Sequence, residues 1–242
     1  MFQIRLATPD DLELIIGMID KAADWLRTKG TDQWARPWPS RPARDERVIR
    51  GLLAGSTWLV VDRGTPVATA TSWQFPGHPD LWTDAELSEP AVYMSRLVLN
   101  RDYANTGAGA ALTDWVGARG REERGALELR IDVWTNNYRL HGYYMSQGFS
   151  FLRTHPDEDY PSGALFSKPT EDIKVDSASI FWVIPALSAA PVRLPLVSSS
   201  RVPQHHISRW HMRRARRQVG ARPFRLITTV IRVLLSITHL RG

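Results

Sequence analysis

The run Val92-Tyr93-Met94-Ser95-Arg96-Leu97-Val98-Leu99, the loop Asn100 to Thr106, and the opening Gly107-Ala108-Gly109-Ala110 decide the fold. The first piece, with Ala91, reads as a strand. The last opens a helix to about Arg119, with Ala108, Ala111, Leu112, Trp115 and Val116 on one face. Glycines at a helix start let the backbone approach a ligand closely. Unpaired N–H groups and the positive end of the helix dipole favour a phosphate there. Plain packing of a helix start accounts for the glycine pair alone equally well. Two nucleotide motifs lose ground: a P-loop needs Gly-Lys-Ser/Thr and this segment has no lysine, while a dinucleotide fingerprint needs a third Gly where Leu112 stands.

Downstream, Ala126 to Trp134 reads as a strand, Asn137 to Gln147 as a helix, and Phe149 to Arg153 and Ala164 to Lys168 as closing strands. Upstream, residues 2–6 alternate as a first strand, and Thr8-Pro9-Asp10-Asp11 signals a helix start. Apolar residues at helical spacing carry that helix to about residue 28. Residues 30–42 read as loop, Asp45 to Ala54 as a second helix, Thr57 to Asp62 and Val67 to Trp73 as a hairpin, and residues 75–90 as a longer loop. Strands alternating with helices between flanking hairpins predict an α/β or α+β fold with a mixed sheet.

The 242 residues are 43% hydrophobic, enough for a sizeable core. There is no cysteine, which excludes disulfides, a thiolate nucleophile and Cys-ligated zinc. No metal is expected. Neither a signal peptide nor an apolar run near transmembrane length is evident, so a cytoplasmic location is expected. Residues 201–242 hold ten Arg, no Lys and no acid, while residues 1–200 hold 21 basic and 25 acidic side chains. The pI of about 10.0 therefore belongs to the tail.

The paired motifs resemble those of the GNAT superfamily of acetyl-CoA-dependent N-acyltransferases, over residues 2 to about 169. Ala104-Asn105-Thr106-Gly107-Ala108-Gly109 is similar to the family's phosphate loop, Arg/Gln-x-x-Gly-x-Gly/Ala. Asn137 followed by Tyr143-Tyr144-Met145-Ser146-Gln147-Gly148-Phe149 is similar to its Asn-x(5)-Leu-Tyr-x-x-x-Gly-Phe signature. Ala104 departs from the usual Arg or Gln and removes a side-chain contact to the pyrophosphate, for which Arg101 or Arg96 are candidate replacements. Tyr143 stands where Leu is usual.

The resemblance implies a mixed, centrally splayed sheet flanked by helices, with acetyl-CoA as co-substrate and the primary amine of a small molecule or peptide as acceptor. By position, the pantetheine arm would lie along the backbone of Leu97, Val98 and Leu99 and be held by Asn137. The amides of Ala104, Asn105, Thr106, Gly107, Ala108, Gly109 and Ala110 would grip the pyrophosphate. Asn137 is also a good helix cap. Tyr144 falls beside the thioester sulfur and would donate a proton to the departing thiolate. Asp132, Glu86 and Glu89 are candidate bases, with Asp132 foremost. His141 reads as a packing or surface residue, Ser95 and Trp134 as pocket-shaping or plain sheet residues. Trp25, Trp34, Trp38, Trp73 and Trp82 suggest an aromatic acceptor pocket suited to a cationic amine.

Three regions follow: a domain at 1–170, a linker or irregular segment at 171–203, and an Arg-rich basic tail at 204–242 with a possible helix. The tail reads either as an arm for nucleic acid or anionic membrane or as an extension without a role. The second reading of the whole chain is a weakly catalytic acyl-CoA-binding protein acting through that tail. Oligomeric state is not readable. Membrane binding by the tail predicts vesicle association that a 1–170 truncation loses; equal association of both forms rejects it.

Overall fold

The computed structural model describes residues 2–155, 160–173 and 181–183. The strands are β1 (Phe2–Leu6), β2 (Thr57–Asp62), β3 (Thr65–Trp73), β4 (Ala91–Leu99), β5 (Glu128–Val133), β6 (Ser150–Thr154), β7 (Ala164–Pro169) and β8 (Phe181–Val183). They form one sheet in the order β6-β7-β5-β4-β3-β2-β1-β8. Neighbours are antiparallel except β4–β5 and β1–β8. The α-helices are α1 (Leu12–Arg27), α2 (Arg41–Leu53), α3 (Asp84–Ser88), α4 (Ala108–Arg124) and α5 (Tyr138–Ser146). Parallel β4 and β5 need a crossover, and α4 supplies it.

Period-two alternation in the strands sends side chains to two differently covered faces. On one, Val92 and Met94 of β4 and Leu129 and Ile131 of β5 pack with Ala108, Ala111, Leu112, Trp115 and Val116 of α4. On the other, Leu59, Val61 and Val98 pack with Ile15, Met18 and Ile19 of α1 and Val48 and Leu52 of α2. With both faces covered, β2 is buried from Thr57 to Val61. This is the expected mixed sheet flanked by helices.

Several element boundaries differ from the sequence expectation. Helix α2 begins at Arg41 rather than Asp45, capped by Ser40, whose hydroxyl accepts from the Ala43 N–H at 3.3 Å. Pro42 reads as a loop residue in the sequence, but the first turn has no intrahelical N–H to lose. Helix α3 interrupts the loop expected over residues 75–90, nucleated by a capping box between Thr83 and Glu86. Helix α4 continues past Arg119 to Arg124, where Gly125 at φ 63° closes it.

The segment expected as a linker from residue 171 continues the domain in part. Thr170 donates its hydroxyl to the Ala126 carbonyl at 2.7 Å, Ile173 joins the core, and β8 pairs with β1 through Phe2↔Phe181, with Phe181 buried. The Arg-rich tail at 204–242, with its possible helix and its nucleic-acid or membrane contact, lies outside the described residues. Among the described residues, no helix is long and apolar enough to cross a membrane.

Helix α4 approaches the sheet closely because it presents glycines to it. A Cβ added to Gly120 would stand 2.6 and 2.8 Å from the Cγ1 and Cβ of Val92. At Gly117 the nearest atom would be the Cδ1 of Ile173, the far end of a flexible side chain. Overpacking costs about 1–3 kcal/mol, and replacing a helical glycine recovers up to about 1. Gly120→Ala is therefore expected to lower unfolding free energy by about 1–2 kcal/mol, and Gly117→Ala by less, as measured by urea denaturation.

Candidate functional site

The site begins where two strands part. The parallel ladder runs from Ala91↔Glu128 to Met94↔Ile131 and stops, while β4 continues to Leu99. On its other side β4 stays paired with β3, but Thr69↔Val98 is followed by Thr71↔Ser95, so Arg96 and Leu97 together oppose Ala70. This is a β-bulge, with Arg96 at φ 52°. A bulge bends its strand, and here it accompanies the divergence from β5. Ser95, Arg96 and Leu97 are consequently partly exposed in the middle of a covered sheet. The Asn100 N–H bonds the Val67 carbonyl on the β3 side at 2.8 Å. Polar edges alternate along a strand, so those of Leu97 and Leu99 turn to the gap. Val98 faces β3 and packs under α1 and α2.

The gap leads to the start of α4. Gly107 adopts φ 79° and Asn105 φ 64°, turning the loop of Ala104, Asn105 and Thr106 into the helix. No side chain caps α4 in the usual way; the Thr106 hydroxyl lies 3.4 Å from the Ala108 N–H, and the Ala111 N–H returns to the Gly107 carbonyl. The first-turn amides of Gly109 and Ala110 remain available, and the first turn holds no acid. A Cβ on Gly107 would meet open space, and one on Gly109 would lie 3.5 Å from the Tyr143 hydroxyl. These features fit an anion such as a pyrophosphate. The sequence reading missed that Tyr143 sets a hydroxyl over the cradle. Neither candidate replacement for the Ala104 position reaches it: Arg101 stacks on Trp25 at 3.8 Å, and Arg96 extends to the opposite face of the sheet, beside Gly51.

Helix α5 supplies Tyr144, buried and packed edge-on against Tyr143 and Phe149. Burial, then Tyr143 and Asp132, pushes its hydroxyl well above the usual value, so it holds its proton across the neutral range. Asn137 caps α5: its Oδ1 accepts from the Leu140 N–H at 3.1 Å, and its amide donates to Gln33 at 2.6 Å. The Trp134 indole donates to Asp32 at 2.7 Å. The segment between α1 and α2 is thus tied across the ends of β5 and α5. His141 is a buried packing residue, with Nε2 at 2.9 Å from the Trp134 carbonyl and the ring against Phe166.

On the face away from α4, Asp132 stands one residue past the last β4–β5 pair. Its Oδ2 accepts from the Tyr160 hydroxyl at 2.5 Å. Burial pushes the Asp132 carboxyl up, opposed by Tyr160, His78 and Arg96, and burial likewise pushes Tyr160 up. Tyr160, His78 and Trp38 form one aromatic wall, with ring centroids 4.0 to 5.5 Å apart. Tyr160 and His78 were not legible as site residues, since neither lies in a motif. The other tryptophans disperse. Trp82 packs edge-to-face against Tyr93 with Trp73 alongside, Trp34 packs on the α1–α2 core, and Trp25 lies under Arg101.

Glu86 and Glu89 are engaged elsewhere. Glu86 accepts two hydrogen bonds from Arg153 at 2.6 and 2.7 Å, which hold its carboxyl at about 2, too low for an effective base at neutral pH. Glu89 pairs with Arg130. Among the described residues, no group of three or more His, Asp or Glu is placed to hold a metal ion.

A mixed sheet splayed between parallel central strands, with a glycine-opened helix at the gap, is the acyl-CoA N-acyltransferase architecture. The chain matches the Acetyltransferase (GNAT) family over residues 19–149, more than half its length, and belongs to that family. It is 26% identical over 148 residues, 60% of this chain and 80% of the relative, to the uncharacterized N-acetyltransferase YesJ of Bacillus subtilis. In fold it is similar to a GNAT-family acetyltransferase of Listeria monocytogenes, with a TM-score of 0.58, 20% identity, and coverage of 69% of this chain and 94% of that one. The PaiA N-acetyltransferase of Thermoplasma acidophilum, solved with coenzyme A, gives a TM-score of 0.54 at 16% identity over 70% and 99%. The aminoglycoside acetyltransferase AAC(6')-Ib, solved with coenzyme A and kanamycin, gives 0.53 at 20% over 71% and 96%. The protein is an acyltransferase.

A buried carboxyl raised above its unfolded value favours the fold below the ordinary Asp range and loses that contribution as pH rises through its folded pKa. Asp132→Asn, which cannot ionise and still accepts from Tyr160, is therefore expected to match or exceed the wild-type Tm at pH 7. The gain is roughly 2–4 °C for each kcal/mol relieved, and it vanishes at pH 3. Thermal denaturation at the two pH values checks this.

Proposed function

We propose that this acyltransferase moves an acetyl group from acetyl-CoA to the primary amine of a small molecule or peptide by direct attack, with Asp132 as general base and Tyr144 as general acid. The gap beyond Met94 and Ile131 carries this reading. It leaves a polar β4 edge for the pantetheine arm, which binds by strand addition. The amides of Asn105, Gly107, Gly109 and Ala110 hold the pyrophosphate, while those of Ala104 and Thr106, expected to join them, are spent on the Arg101 and Tyr103 carbonyls; the Tyr143 hydroxyl is a donor that Ala104 does not provide. Asn137 caps the start of α5, the helix whose last turn carries Tyr144, in addition to any contact it makes with the arm.

Asp132 and Tyr144 come from opposite faces of the sheet and interact electrostatically through the gap. A neutral amine nitrogen forms its bond to the acetyl carbon as the carbon–sulfur bond breaks. The amine's proton passes to Asp132, which its burial makes a stronger base than a solvent-exposed Asp. Tyr144 gives its proton to the departing sulfur. That the related fold AAC(6')-Ib was solved with coenzyme A and kanamycin supports a small-molecule amine as acceptor.

Tyr144→Phe should reduce kcat by about 10²-fold or more while acetyl-CoA affinity stays within about threefold, read by thiol release against an amine panel and by titration of acetyl-CoA. A loss of affinity as large as the loss of kcat would remove Tyr144 from the acid role.

A further inference from the structure

We propose that the acceptor amine also carries an oxyanion, a carboxylate or phosphate, and that Arg96 and Arg47 hold it. This rests on the N-acetyltransferase reading and adds to it the class of acceptor. The first observation is the position of Arg96. The β4 bulge sends its side chain under α2, to a space kept by Gly51: a Cβ there would lie 3.3 Å from the Arg96 Nη2, as well as 2.6 Å from the Thr57 Oγ1. That Nη2 is sealed from solvent without a hydrogen-bond partner. The adjacent Thr57 and Thr71 hydroxyls bond each other at 3.0 Å. Burial, then Arg47 and Arg50, lowers the Arg96 pKa to about 10, so it remains charged at neutral pH.

The second observation is an imbalance of charge. Arg47 is half-buried on the same wall, and its guanidinium uses one nitrogen on the Trp38 carbonyl and stacks over the Trp38 ring at 5.4 Å. Arg47, Arg50 and Arg96 repel one another. Of the neighbouring acids, Asp20 is paired with Arg44 and Arg41, Asp45 with Arg44 and Asp32 with Trp134, while Glu46 partly offsets the charge on Arg47. Asp132, itself bonded to Tyr160, is a carboxylate that acts on Arg96. A guanidinium nitrogen sealed from solvent without a hydrogen-bond partner, beside two like charges, opposes the stability of the fold. A planar fork with free donors suits a carboxylate or phosphate from outside.

The third observation is order in space. Ser95 Oγ is also sealed without a partner. It lies on β4 one residue past the last pair with β5, level with Asp132. The wall thus runs from an anionic end at Asp132 and Tyr160 to a cationic end at Arg96 and Arg47. An ammonium is drawn to the first and an oxyanion to the second. The sequence suggested an aromatic pocket suited to a cationic amine; these two arginines add a site for an oxyanion on the same molecule.

The test compares matched amines by thiol release with the full-length protein: lysine against 1,5-diaminopentane for the carboxylate, and O-phosphoethanolamine against ethanolamine for the phosphate. At least one oxyanion-bearing member is expected to exceed its partner by about tenfold or more in kcat/KM. Arg96→Gln and Arg47→Gln should each erase most of that preference through KM. Equal kcat/KM within each pair, or variants that lower both members alike, overturns the inference. Should Arg96→Gln not fold, the wild-type pairs and Arg47→Gln decide. If no amine is acetylated, the enzymatic reading fails by itself. The inference is then judged by thermal shift of the coenzyme A-loaded protein: stabilisation by millimolar O-phosphoethanolamine or lysine, but not by ethanolamine or 1,5-diaminopentane, supports it, and no such difference overturns it.

Discussion

Two parallel strands that stop bonding partway along their length govern this molecule. Interior backbone groups seek partners, and the edges of Leu97 and Leu99 are left without a neighbouring strand where the ladder stops. The other central features serve that interruption. The bulge at Arg96 and Leu97 lets β4 keep its register with β3 while leaving β5, and the glycines of α4 bring its first amides to the mouth of the opening.

The parting also separates two chemical environments. Toward α4 and α5 the surroundings are apolar, and burial keeps the Tyr144 hydroxyl protonated. Toward α1 and α2 the wall is aromatic and charged, and the Asp132 carboxyl is pushed up although it accepts a hydrogen bond from Tyr160. The two groups proposed as proton donor and proton acceptor are thus shifted by the same desolvation but held on different sides of the sheet. Ties from Asp32 to Trp134 and from Gln33 to Asn137 fasten the α1–α2 segment over the opening.

Most of the architecture was legible in the sequence because it rests on local patterns. Alternation gave β1, apolar spacing gave α1 and α4, and the glycine pair at Gly107 and Gly109 marked the start of α4. The misplaced boundaries came from residues of double meaning, such as Pro42, which reads as loop and sits in a first helical turn. The half of the site formed by Asp132 was less legible. Its partners Tyr160, His78, Trp38 and Arg96 come from distant segments and share no motif, so only tertiary structure brings them together. Asn137 shows the converse: the motif singled it out, and the fold already uses both ends of its amide, for the cap and for Gln33.

The short strand β8 sets where this domain can be divided. It covers the outer edge of β1 and brings Phe181 to the core, beside the packing of Ile173 under α4. A chain ended at the last residue of β7 would bare the amides of β1 and a greasy strip together, which is a template for recruiting further strands. A 1–170 form would lose this cover, so a truncation meant to remove the basic tail alone needs to retain residues through Val183.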